Sequence, residues 1–151
     1  MKRSTNIVLG LAALIGAAFV LPHLASGPSL VTNSAAVSQE SSKVEKLNDS
    51  NFETTLKGSK TIVLVDFYAD WCGPCRAMAP NIDKIAEEFD GRVLVVRVNV
   101  DESTATARDQ RIRSIPTLRV FVAGSTTEQS TRVGYMDLDT LRKWVSDELA
   151  R

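Results

Sequence analysis

The stretch VDFYADWCGPCRAMAP, residues 65–80, places the two cysteines of the chain, Cys72 and Cys75, two residues apart at the end of an apolar run. Two thiols at this spacing can bind a metal ion, lock a loop or exchange electrons. The residues on either side of the pair indicate which of these three functions the thiols have.

The residues that flank the cysteines predict a strand, a helix and a second strand. Residues 62–68 and 93–100 are near-continuous β-branched runs, which are typical of strands buried on both faces of a parallel sheet. Between them apolar residues recur at helical spacing, and Gly91 follows as a stop signal. The apolar face of this helix consists of Cys75, Met78, Ala79, Ile82, Ile85, Ala86 and Phe89.

The rest of the chain predicts further elements of an α/β fold with a central mixed β-sheet flanked by helices. Residues 104–110 suggest a short helix, and residues 117–124 and 130–135 suggest two strands of a hairpin. Asp137 is a candidate N-cap for a closing amphipathic helix. The apolar face of that helix contains Leu138, Leu141, Val145 and Leu149.

The composition of the chain disfavours a zinc site and a purely structural disulfide. A structural zinc site needs four Cys or His ligands, whereas this chain offers two cysteines and His23, which lies far away in the N-terminal segment. A disulfide that closes so short a loop removes little chain entropy and stabilises weakly. Thiol exchange fits best, because a helix that begins near Cys72 favours a thiolate there.

The chain resembles the thioredoxin family. The resemblance rests on WCGPC after VDFYAD, on Pro80 in the helix and on SIPTL at residues 114–118, and it covers residues 44–151. It implies a thioredoxin fold and a protein dithiol–disulfide oxidoreductase. It also implies that Cys72 attacks and Cys75 resolves, with no cofactor besides this redox-active pair and no metal.

The resemblance gives roles to two charged residues that interrupt apolar runs. Asp66 matches a buried acid that takes the proton of the resolving thiol, and desolvation should raise its pKa. Arg97 stands where the family commonly has lysine; either its head group lies in water or it approaches Asp66 and tunes that acid. Tyr68 stands where the family often has a second tryptophan, and this change should alter packing more than chemistry.

The resemblance also implies a surface that accepts extended polypeptide. It makes the Ile115–Pro116 bond cis and places it opposite the dithiol, and it makes Pro80 a structural kink in the helix. The expected substrate-binding residues are Trp71, Gly73, Pro74, Ile115, Pro116 and Gly134.

The N-terminal segment predicts export from the cytoplasm. Lys2 and Arg3 precede 15 uncharged residues at positions 7–21, an arrangement typical of a signal peptide. A membrane-spanning helix needs about 20 apolar residues, and no clean cleavage site follows. Residues 1–25 are therefore either a signal peptide or an N-terminal membrane anchor, residues 26–43 a flexible linker and residues 44–151 the thioredoxin domain.

Charge and export together define the expected setting of this domain. The 18 basic and 18 acidic side chains balance, so no net charge attracts nucleic acid or a membrane surface. We expect a periplasmic or otherwise extracytoplasmic monomer, soluble or tethered to the inner membrane, that reduces disulfides in other proteins. An oxidising compartment requires an electron donor such as a membrane thiol–disulfide conduit. The alternatives are a disulfide oxidase or isomerase, or a tethered docking module without catalysis.

Overall fold

The computed structural model describes residues 43–151, which form one mixed sheet with helices on both faces. The sheet order is β1-β3-β2-β4-β5; β1, β3 and β2 are parallel, and β4 and β5 are antiparallel to their neighbours. The predicted α/β fold with a mixed sheet is confirmed. The elements are β1 (Glu45–Leu47), α1 (Phe52–Gly58), β2 (Ile62–Tyr68), α2 (Gly73–Glu88), β3 (Val93–Asn99), α3 (Thr104–Asp109), β4 (Thr117–Phe121), β5 (Glu128–Val133) and α4 (Leu138–Leu149).

The central strand β2 is buried on both faces, which explains its near-continuous apolar sequence. Its side chains alternate between two cores. Leu64 packs with residues of α2 and α4 on one face, whereas Val63, Val65 and Phe67 pack with residues of α1 on the other. The same alternation places Asp66 on the face that α2 and α4 cover.

Helices α2 and α4 begin at side-chain caps. Cys72 is the N-cap of α2, and the helix continues through Pro80 to Glu88. Asp137 caps α4 as predicted, since its carboxylate accepts a hydrogen bond from the Thr140 backbone N–H at 3.0 Å.

Several boundaries differ from the sequence-based expectation. Strand β1 and helix α1 were not predicted, and β4 and β5 lie at residues 117–121 and 128–133 rather than 117–124 and 130–135. Within residues 43–151 no helix is long and apolar enough to cross a membrane. The predicted signal peptide or anchor and nearly all of the predicted linker lie outside the described residues.

Candidate active site

The two cysteines lie at the start of α2, directly after the loop that leaves the C-terminal end of β2. Cys72 and Cys75 are joined by a disulfide bond, and the Cys75 backbone N–H lies 3.2 Å from the Cys72 Sγ as a hydrogen-bond donor. Pro74 occupies the first turn, where its missing N–H costs the helix nothing. Once the disulfide is reduced, the unpaired N–H groups of this turn and the helix dipole favour a Cys72 thiolate.

The two sulfur-bearing residues differ in access to solvent. Cys72 is 4% exposed, whereas Cys75 is 0% exposed and packs with Tyr68, Ala69 and the partly buried Ile115. Of the two residues, Cys72 is therefore the one with surface that another protein can contact.

Asp66 is a buried acid on β2. Its residue exposure is 0%, and burial raises its pKa from the ordinary value of 3.8 to about 6, against the opposing influence of Arg97. A carboxyl group with this pKa exchanges its proton near neutral pH, as a general base for a thiol must.

Arg97 contacts this acid directly. It lies opposite Asp66 in the register of β2 and β3, and its Nε donates to the Asp66 Oδ2 at 2.9 Å. The Arg97 side chain is 16% exposed, and its guanidinium carbon lies 4.0 Å from the centroid of the Tyr68 ring. Of the two expected positions of this arginine, the structure therefore has the one beside the acid.

The residues of the expected substrate surface lie around the dithiol on three segments. Trp71 is 69% exposed, and Gly73 and Pro74 are exposed beside Cys72. The Ile115–Pro116 peptide bond is cis, as the resemblance implied. The Gly134 backbone N–H donates to the Pro116 carbonyl oxygen at 2.8 Å, so the segments that carry these two residues are joined.

A shallow pocket of about 200 Å³ extends this surface on the Trp71 side. Sequence reasoning named only two of its lining residues; its full lining is Trp71, Val100, Ile112, Arg113, Ser114 and Ile115.

Asp101 is another residue that sequence reasoning missed. It accepts a hydrogen bond from the Trp71 indole N–H at 2.7 Å. A signal for this contact existed, because Trp71 and Asp101 follow adjacent parallel strands whose carboxyl ends meet at one edge of the sheet.

Exposed apolar side chains also flank Gly134. Val133 and Tyr135 are 63% and 54% exposed, and neither was among the expected site residues. Among residues 43–151 no group of three or more His, Cys, Asp or Glu side chains could hold a metal ion.

Comparison with known proteins gives consistent matches. The Thioredoxin family model matches residues 43–147. Thioredoxin 1 of Nostoc sp. is 41% identical over 108 residues, which are 72% of this chain and 99% of that relative. The chloroplastic M-type thioredoxin of Pisum sativum is 49% identical over 82 residues, 54% of this chain and 48% of the relative. The crystal structure of chloroplastic thioredoxin z superposes with a TM-score of 0.65 at 31% identity, covering 72% of this chain and 96% of that one.

Proposed function

This chain belongs to the thioredoxin family, and we propose that it reduces disulfide bonds in other proteins outside the cytoplasm. The chain is a thioredoxin-type dithiol–disulfide oxidoreductase, and the family acts on disulfide substrates with a reductant as partner. The compartment, the direction of electron flow and the roles of individual residues are the proposed part.

The reaction begins with the reduced dithiol. The Cys72 thiolate attacks a substrate disulfide, so that a mixed disulfide forms and the first substrate sulfur leaves as a thiolate. Cys75 then loses its proton to Asp66 and attacks the Cys72 sulfur. The Cys72–Cys75 bond forms, the bond to the substrate breaks and the substrate is released with both sulfurs reduced.

One observation carries this assignment of roles. Cys72 stands at the N-terminus of α2 with some exposed surface, whereas Cys75 is fully buried in the same helical turn. A thiolate is stabilised most at the helix end, and the attacking sulfur must reach another protein. The opposite assignment would require the substrate to reach a buried sulfur.

The basic and apolar residues at positions 1–25 support the extracytoplasmic part of the proposal. In an oxidising compartment the dithiol needs a supply of electrons, which a membrane thiol–disulfide conduit would deliver. Separating cells into cytoplasmic, membrane and extracytoplasmic fractions tests the location. Finding the full-length chain confined to the cytoplasm would remove this part of the proposal.

The direction of electron flow is tested by the reduction potential of the Cys72–Cys75 couple. The protein is equilibrated with a thiol–disulfide buffer, and its free cysteines are trapped and counted. A reductant has a potential more negative than about −200 mV. A less negative potential would make the protein a donor of disulfides, that is, an oxidase or isomerase.

The role of Asp66 is tested by Asp66→Asn, which removes the base and keeps a similar shape. We expect release of the mixed disulfide to slow by about 10² to 10⁴, the usual contribution of a general base, whereas the first attack by Cys72 stays nearly unchanged. Single-turnover kinetics with a fluorescent disulfide peptide separate the two steps. Glu87→Gln, which neutralises an exposed acid at the far end of α2, is the matched control; equal release rates in Asp66→Asn and the control would exclude Asp66 as the base.

A further inference from the structure

Arg97 contacts both Asp66 and Tyr68, and Tyr68 packs with the two cysteines. The mechanism above uses these contacts only in part. We propose that Tyr68 is a positioning residue: its ring holds the Arg97 guanidinium on one carboxylate oxygen of Asp66 and leaves the other oxygen free to accept a proton from Cys75. The inference rests on the proposed role of Asp66 as the base.

The sheet brings these three residues together. Asp66 and Tyr68 are two positions apart on β2 and therefore share a face. Arg97 is aligned with Asp66 on the adjacent parallel strand β3. From there its guanidinium carbon reaches 4.0 Å from the centroid of the Tyr68 ring, while its Nε stays 2.9 Å from the Asp66 Oδ2.

The two oxygens of Asp66 are thereby made different. Oδ2 accepts the hydrogen bond from Arg97, whereas Oδ1 is buried without a hydrogen-bond partner among the described residues. Arginine commonly binds both oxygens of a carboxylate through its planar fork. Such a pair would occupy both acceptors, whereas the single bond through Nε keeps Oδ1 free.

The Tyr68 ring supplies the restraint on Arg97. A guanidinium that stacks on an aromatic face is attracted to it electrostatically, and its plane is fixed by the stacking. The Arg97 side chain keeps 16% exposure, so without the ring it has a path into water. Moving the charge into water would weaken its attraction for the carboxylate and raise the pKa of Asp66.

Other charged groups near this face do not replace Arg97. On β1, Lys46 is aligned with Arg97. On the other side of Asp66, its neighbour on β4 is the uncharged Leu118, and Arg132 on β5 is aligned with Leu118. The Arg132 guanidinium lies over the Trp144 ring. The charged side chains of α2 are all exposed; they are Arg76, Asp83, Lys84, Glu87 and Glu88. The start of the helix adds the two cysteines, which do not titrate while disulfide-bonded.

The test compares Tyr68→Leu, which removes the aromatic face, with Tyr68→Phe, which keeps it and removes only the hydroxyl. The pKa of Asp66 is measured in the oxidised full-length chain by carboxyl ¹³C NMR, and release of the mixed disulfide is measured at pH 6 and pH 8. We expect Tyr68→Leu to raise the pKa of Asp66 and to slow release about threefold at pH 6 but not at pH 8. Tyr68→Phe should match the parent in both measurements.

A second background shows whether the ring acts through Arg97. In Arg97→Met the guanidinium is absent, and adding Tyr68→Leu should then leave the pKa of Asp66 where Arg97→Met alone puts it. An equal effect of Tyr68→Leu in both backgrounds, or no effect in the parent, overturns the proposal. This comparison also controls for partial loss of folding, because both backgrounds carry the same Tyr68 change.

The two readouts separate the positioning role from the base role. If the pKa of Asp66 moves as expected while release at pH 6 stays unchanged, Tyr68 does position Arg97, and the role of Asp66 in the proposed function is wrong. If the pKa does not move, the positioning role itself is wrong.

Discussion

At the scale of the single residue, Asp66 links the stability of the fold to pH. Its folded-state pKa of about 6 lies above the ordinary 3.8, because a buried carboxylate loses hydration when it ionises. Because the folded-state pKa is the higher one, the protein loses stability as the pH rises. The stability that this group contributes is fully present below about pH 4 and is lost as the pH rises through about 6. The loss amounts to about 3 kcal/mol.

We therefore predict that Asp66→Asn removes this pH dependence. Urea unfolding of parent and variant at pH 4 and pH 7.5 should show the parent losing about 2 kcal/mol relative to the variant over that interval, because part of the full loss has already occurred at pH 4. Asp49 and Asp137 have lowered pKa values, so their contributions change at lower pH and cancel in the difference. A constant difference between the two proteins at both pH values would contradict the burial of an ionised Asp66.

Single residues also show how far sequence reasoning reaches. Asp66 was identifiable because a carboxylate in an apolar run must be either buried or turned out of the sheet, and burial raises its pKa. The position of Arg97 was left between two alternatives, since a long side chain can reach water from the same backbone position. The expectation that Tyr68 changes packing more than chemistry differs from the role now proposed, because its contact with Arg97 depends on side-chain directions that sequence spacing does not give.

At the scale of the element, the end of α3 contains a residue in the left-handed region. Arg111 has φ 53°. Its N–H donates to the Arg108 carbonyl oxygen at 2.8 Å, and the Ile112 N–H donates to the Ala107 carbonyl oxygen at 2.9 Å. This pair of bonds is the Schellman ending, in which glycine usually occupies the left-handed position. After this turn, Ile112 lines the pocket beside Trp71.

We predict that Arg111→Gly stabilises the protein by up to about 1 kcal/mol, because relief of left-handed strain exceeds the entropy that glycine adds to the unfolded chain. Thermal and urea unfolding measure the change. Arg111→Ala is the control, since it removes the guanidinium but keeps a Cβ and should give no gain. A gain of the same size in both variants would assign the effect to the charge of Arg111 rather than to its backbone.

The elements differ in how well their sequences predict them. The limits of β2 were predicted without error, and α2 was recognisable from its apolar spacing, because both elements are long and bury many side chains. Strand β1 has three residues, and α1 buries only Phe52 and Leu56, so neither shows a periodic pattern. Strand β5, EQSTRV, contains a single apolar residue and is defined by pairing with β4. The sequence therefore predicted this strand but placed it two residues late, at residues 130–135.

At the scale of the whole molecule, the chain enters the described fold far from the dithiol. Lys43 forms an ion pair with Asp90 at 2.7 Å, just beyond the C-terminal end of α2. The dithiol lies at the opposite end of this helix, whose 16 residues span about 24 Å. Lys43 is thus at the end of the domain opposite the reactive sulfurs.

We predict from this arrangement that the sequence before the domain does not take part in thiol exchange. A protein comprising residues 37–151 should reduce a soluble disulfide peptide with a kcat/KM within about twofold of that of the full-length chain, because none of the active-site contacts is removed. Reduction by an electron donor embedded in a membrane should instead depend on residues 1–36 if they anchor the domain, since a tether raises the effective concentration of the dithiol at the membrane. A large loss of kcat/KM for the soluble peptide would mean that the N-terminal sequence contributes directly to the reactive end of the domain.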